Sequence, residues 1–324
     1  MLLQLEPDRC SLHRMGNRMK TDLSHLPPAK QRELARVVQF LFEEFADVIV
    51  MAEGKRKAGR ILKIILFGSH ARGRYVDEPH TAKGYMSDFD LLVIVNQQDL
   101  TDKDLWHNAE ERLIRETQVT KVLRTPTNFI VHSLKEVNDA LAHGRYFFMD
   151  IARDGIALYQ SSDTELHKPK PKEPDEALEM AQEYFESWFP SAGEFHDNAR
   201  FNLDRNRLNN AAFQLHQAAE RLYHCVLLVL TSYTPHRHNI AFLRSIADAL
   251  DVRLVDVWPR DDRKARALFI KLRDAYVKAR YSKHYTITAE ELEWLGARVE
   301  ELGAVVHVVC SERVAELKST AGVL

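Results

Sequence analysis

Apolar residues recur at Leu34, Val37, Val38, Leu41, Phe42, Phe45, Val48 and Ile49, the stripe of an amphipathic helix running from Pro28 to Met51. The pattern then changes. After the basic break EGKRKAGR come three short apolar runs: ILKIILF at 61–67, DLLVIV at 90–95 and NFIVH at 128–132. Their length and branched side chains predict strands. A helix of mixed charge is expected around 102–118, and LKEVNDALAHG predicts a short helix stopped at Gly144. The run RYFFMDIARDGIALYQ closes this part of the chain.

Strands alternating with helices predict a small α+β domain over residues 28–160. The stretch SSDTELHKPKPKEPDEA is polar, rich in proline and without apolar periodicity, so residues 161–176 read as a linker. Beyond it the period is helical throughout. Ala177, Met180, Ala181, Tyr184, Phe185 and Trp188 form one stripe. NRLNNAAFQLHQAAERLYHCVLLVLTSY and HNIAFLRSIADALD, the latter opened by Asn239, give two more helices, and 263–280 and 288–311 a further two. Residues 177–324 are therefore expected to form an all-α bundle. Residues 1–27 read as a flexible extension, with Met15 and Met19 as alternative starts.

Composition narrows the class without deciding it. A chain of 324 residues favours two domains over one. Hydrophobic residues at 45%, charged residues at 28% and a net charge of −2 are ordinary for a globular protein and give no global basic signature of nucleic-acid binding. No stretch approaches the ~20 apolar residues of a membrane span. The three cysteines, Cys10, Cys225 and Cys310, have no metal-binding spacing and fit a reducing cytoplasm.

Chemistry concentrates in LFGSHARGRYVDEPHTAKGYMSDFDLLVIV at 66–95. Side chains at i and i+2 of a strand share a face, so Asp88 and Asp90 set two carboxylates side by side. Their repulsion is relieved by a divalent cation, and Mg²⁺ is suited to one or two carboxylates completed by substrate phosphates. Gly68 and Ser69, where the first strand ends, offer backbone N–H groups and a hydroxyl to phosphate oxygens. Arg72 and Arg74 follow as potential phosphate donors.

The combination GSHARG…SDFDLLV resembles the signature of the DNA polymerase β-type nucleotidyltransferase superfamily, in its minimal nucleotidyltransferase branch. The resemblance implies transfer of a nucleoside monophosphate from an NTP, with ATP as the expected donor. Gly68, Ser69, Arg72 and Ser87 would bind the nucleotide, and Asp88 and Asp90 would ligate Mg²⁺, with Ser69 at the reacting phosphates. Two departures stand out. Eighteen residues separate Ser69 from Asp88, predicting an extra loop. The superfamily's third carboxylate has no counterpart in TPTNFIVHS, where only Asn128 and His132 are candidates, so no general base is evident.

AAFQLHQAAERLYHCVLLVLTSYTPHRHNIAFL resembles the HEPN domain (higher eukaryotes and prokaryotes nucleotide-binding) in its QAAE core and its histidine–asparagine lead into the next helix. Many such domains cleave RNA with an R-x(4–6)-H motif. The matching region, DAYVKARYSKHY, offers Arg280, His284 and Tyr285, with one residue too few between Arg280 and His284. His216 and His224 read as core histidines, and His236 and His238 as turn residues. The resemblance also implies a homodimer.

Three functions follow as expectations. One is a toxin–antitoxin-like enzyme that modifies a tyrosine, Tyr285 or Tyr281, beside the HEPN motif. Another is an antibiotic-type nucleotidyltransferase acting on a small molecule. The third is a nucleotide-binding sensor lacking catalysis.

Overall fold

The computed structural model describes residues 19–77, 86–161, 164–235 and 237–322. The chain up to residue 18, most of the loop expected before Asp88, Cys10 and His236 lie outside the described residues.

Helix α1 (Pro28–Val50) opens on Pro27 and Pro28, which pre-set a first turn that needs no N–H. Four strands follow: β1 (Ile61–Phe67), β2 (Phe89–Val95), β3 (Thr127–Ser133) and β4 (Ile156–Gln160). They lie in the order β3-β2-β1-β4, with β1 antiparallel to β2 and β4, and β2 parallel to β3. Between them run the short α2 (Gly68–Ala71), then α3 (His107–Gln118), α4 (Leu134–Ala142) and α5 (Tyr146–Asp154). Ser133 and Glu136 close α4 with a reciprocal capping box.

Every residue of β1 and β2 is buried, which requires cover on both faces of the sheet. Ile64, Leu66, Leu91 and Val93 pack against Leu34, Val37 and Leu41 of α1 and Leu113 of α3. Leu62, Ile65, Phe67, Leu92 and Ile94 face the other way, onto α4 and α5 and into the helical half. The alternation of the strands thus feeds two cores.

The helical half comprises α6 (Pro174–Asp204), α7 (Leu208–Thr231), α8 (Ile240–Asp248), the short α9 (Arg253–Asp256), α10 (Arg263–Tyr281) and α11 (Ala289–Thr320). Helix α7, apolar nearly all round, is the hub against which α6, α8, α10 and α11 pack. This is the α+β domain and helical bundle that the periodicity predicts, with β4 as a fourth strand in the closing run RYFFMDIARDGIALYQ. Cys225 and Cys310 are buried within it. Among the described residues no helix is long and apolar enough to cross a membrane.

The two halves are not loosely joined. Just beyond α7, the Tyr233 ring stacks on Phe147 at 4.3 Å and meets Phe148 edge-on at 4.9 Å. The polar stretch 164–173 has neither helix nor strand, yet it docks on α4. Lys170 N donates to the Leu141 carbonyl at 3.0 Å, and His167 N to Asn138 Oδ1 at 2.8 Å. Gly144, with φ +64°, permits this approach, because a Cβ there would lie 2.7 Å from the Lys170 carbonyl.

Candidate active site

At the end of β1 the backbone turns sharply through Gly68, whose φ is +76°. Phe67 is the register partner of Asp90, so the turn lands beside the second aspartate. A Cβ on residue 68 would come within 2.7 Å of Asp90 Oδ2. Conformation and space therefore both require glycine. Ser69 follows, half-buried, in α2.

His70, the variable residue of the GSHARG stretch, is wholly buried. Its Nδ1 donates to the Asp88 carbonyl at 3.0 Å, and its ring stacks on Tyr75 at 4.6 Å. Burial, assisted by the Lys30 charge, pushes its pKa down to about 4, which keeps the ring neutral at pH 7. His70 thus ties the turn to the start of β2. Ser87 closes the base of the intervening loop, its Oγ accepting from Val76 N at 2.9 Å.

Asp88 and Asp90 come together as strand alternation requires, with Asp90 only 2% exposed. Asn128 lies opposite Asp90 on β3 and donates from Nδ2 to Asp88 Oδ2 at 3.0 Å. Burial pushes the Asp88 carboxyl up to about 6, against the Asn128 hydrogen bond and the charges of Arg244 and Arg260. Burial, and then the Asp88 charge, hold Asp90 well above the ordinary carboxylate range. Two hard-oxygen donors set side by side, Asp90 buried and Asp88 half-buried, fit a divalent metal ion.

The position expected to carry a third acid is thus filled by an amide. The other candidate, His132, sits opposite Ile94 at the far end of β3, held between Glu136 and the Tyr233 hydroxyl at 2.8 Å. It does not reach the carboxylate pair.

The second half of the chain completes the surroundings. Ser245 of α8 donates to Asp90 Oδ1 at 3.3 Å. Arg72 donates from Nη2 to the Ala249 carbonyl at 3.2 Å, so it binds the seam between the halves. Arg244 and Arg260 both pair with Asp248, whose other oxygen is buried without a hydrogen-bond partner. A cleft of ≈790 Å³ runs from Asp88 and Asn128 to His238, Asn239, Tyr276 and Lys278. No local signal in the sequence could have joined these groups, since more than 100 residues separate those of one half from those of the other.

Residues 53–147 match the family model of the nucleotidyltransferase domain, and residues 185–309 match that of the HEPN domain. The chain joins a nucleotidyltransferase domain to a HEPN domain. No curated protein matches it.

In the HEPN domain the Arg280 guanidinium lies over the rings of Phe213, Tyr276 and Tyr281 at 4.6–4.9 Å and donates from Nε to the Tyr276 carbonyl. His284 is exposed in the turn after α10. Tyr285 is 9% exposed, and its hydroxyl donates to the Lys271 carbonyl at 3.0 Å. Tyr281, by contrast, is 76% exposed. Deeper in the domain, Glu220 of α7 gathers three histidines, His216, His224 and His238.

Proposed function

We propose that this protein transfers a nucleoside monophosphate from an NTP, ATP first among candidates, to an acceptor hydroxyl seated in the cleft between its two domains. One observation carries the reading: Asp88 and Asn128 of the nucleotidyltransferase domain line the same cleft as His238, Tyr276 and Lys278 of the HEPN domain. Asp88 and Asp90 would hold Mg²⁺, which when bound aligns and neutralises the reacting phosphates. Among the described residues no group of three or more His, Cys, Asp or Glu side chains is arranged to hold a metal ion, so phosphate oxygens and water would complete the coordination at Asp88 and Asp90. Gly68 and Ser69 would receive the triphosphate at the end of β1. Arg244 and Arg260, oriented by Asp248, add positive charge from the HEPN side. A pyrophosphate-release assay with each NTP, on the wild type and on an Asp88→Asn, Asp90→Asn variant, tests the reading. Release that persists in the variant would refute the assignment of the site.

A toxin–antitoxin-like reading, with a HEPN tyrosine as acceptor and RNA as the ligand of that domain, is favoured by the exposure of Tyr281 beside Arg280. A bulky charged adduct there would obstruct an RNA-binding face.

A further inference from the structure

We propose that the HEPN domain supplies the general base of the transfer reaction: His238, aimed by the buried carboxylate of Glu220. The proposal rests on the nucleotidyltransferase reading and names the base which that site otherwise lacks.

Three observations converge on His238. The strand position opposite Asp90 holds the Asn128 amide, which has no proton affinity of use near neutral pH. His238 lines the cleft that opens onto Asp88, and its side chain is 54% exposed there. Its Nδ1 donates to Glu220 Oε1 at 3.0 Å. That bond fixes the tautomer, leaving the lone pair on Nε2, the arrangement of a base positioned by a carboxylate.

The support beneath the pair is built in. Glu220 is 92% removed from solvent as a side chain, since only 8% of it is exposed. Burial works to raise its carboxyl, yet hydrogen bonds from His224 and His238 hold it below the ordinary range, so it stays ionised. Gln217 Nε2 donates to its second oxygen at 3.2 Å. The imidazole of His238 also stacks on Tyr276 at 4.5 Å with the rings 16° apart. Asn239, the next residue, caps α8 through bonds to Ala241 N and Phe242 N, which pins the backbone on the other side. The groups around His238 are Glu220 and His216 from α7 and Tyr276 from α10, while Arg273, Asp274 and Lys278 of α10 and Asp88 line the same cleft.

In the reaction, Nε2 takes the proton of the acceptor hydroxyl as its oxygen bonds to the α-phosphorus. The bond from that phosphorus to the bridging oxygen breaks, and pyrophosphate leaves with the electron pair. The imidazolium then returns the Nε2 proton to water, while the Nδ1 proton stays on the ring, hydrogen-bonded to Glu220. Water can take the place of the acceptor, giving NMP and pyrophosphate.

The test uses the full chain, Mg²⁺ and ATP with water as acceptor, reading pyrophosphate release. His238→Ala should lower the rate by about 10²-fold or more, the scale of a lost general base. Added imidazole should restore part of that loss, more so as rising pH increases its neutral form. Glu220→Gln, which removes the anionic partner of Nδ1, should give a partial loss that imidazole does not repair. Thermal melting and ATP binding identify any variant that merely unfolds, and His238→Asn, smaller in its disturbance, repeats the measurement in that case. The inference is overturned if a folded, ATP-binding His238 variant keeps its rate, or loses it without imidazole rescue. A wild type that releases no pyrophosphate from any NTP overturns this inference together with the transfer reading; an active wild type with an equally active His238→Ala overturns the base alone.

Discussion

The Ser245 hydroxyl donates to Oδ1 of Asp90 at 3.3 Å, across 155 residues of sequence and from one domain into the other. A carboxylate that the nucleotidyltransferase fold presents at a strand end is thereby held by the helical domain. Ser245→Ala should leave Asp90 with one partner fewer and cost about 1 kcal/mol of stability. Its kinetic effect should fall on the divalent-ion requirement, read as a shift in the Mg²⁺ concentration giving half-maximal rate.

The raised carboxyls give a sign to the pH dependence of the apo protein. Asp88, lifted from 3.8 to about 6, binds its proton more tightly folded than unfolded. The folded state is therefore favoured at low pH and loses that advantage as pH rises through the interval from about 4 to 6. Asp88→Asn should melt near the wild-type temperature at pH 4 and above it at pH 8, by on the order of 2–3 kcal/mol at most. Mg²⁺ should stabilise the wild type more at pH 8 than at pH 5, because it competes with protons. Melting curves across this range check both statements; a variant advantage that shrinks with pH contradicts them.

Gly68→Ala meets two penalties at once. The left-handed backbone alone costs about 1–2 kcal/mol for a residue with a Cβ. The methyl would also crowd Asp90 Oδ2 from 2.7 Å. Since Asp90 is buried beneath the turn, the expected outcome is a lowered melting temperature and loss of ATP binding by calorimetry, with the helical content unchanged by circular dichroism.

Asp248 holds Arg244 at 3.5 Å and pairs with Arg260 as well, all three largely buried. Removing the shared anion with Asp248→Ala leaves two buried cations facing each other, a change that typically costs 3–5 kcal/mol, thus about 4 kcal/mol here. Urea denaturation measures it. Adding ATP should recover more stability in this variant than in the wild type if the Arg244 guanidinium takes up phosphate in place of Asp248.

If a HEPN tyrosine accepts the nucleotide, Tyr281 should carry the adduct and Tyr285 should not. The Tyr285 hydroxyl is engaged with the Lys271 carbonyl and its ring is buried, whereas Tyr281 stands in solvent. Peptide mapping after incubation with ATP and Mg²⁺ decides it, and an adduct on Tyr285 would contradict the burial argument.

What the sequence displayed was whatever depends on neighbours along the chain. The period-two strands, the stripe of α1, the Gly68–Ser69 turn and the Asp88–Asp90 pair all follow from local geometry. His70 was invisible because a residue between a serine and an alanine carries no periodic signal; only its buried bond to the Asp88 carbonyl reveals it. Tyr285 looked available beside Arg280 and His284, yet α10 ends at Tyr281, and the chain turns Tyr285 back under the helix. His238 read as a turn residue. Its partners, Glu220 and the cleft at Asp88, are assembled only when α7, α8 and β2 pack together.

The wedge of Tyr233 between Phe147, Phe148 and His132 has a practical meaning for anyone dissecting the protein. A scissors cut at residues 161–173 would strip an aromatic cluster bare on one fragment and a hydrophobic helix hub on the other. Neither piece would resemble what it is in the whole chain. The nucleotidyltransferase sheet and the helical hub should melt in a single transition, and a mutation that loosens either one should be felt in the other as lost solubility before it is felt as lost chemistry.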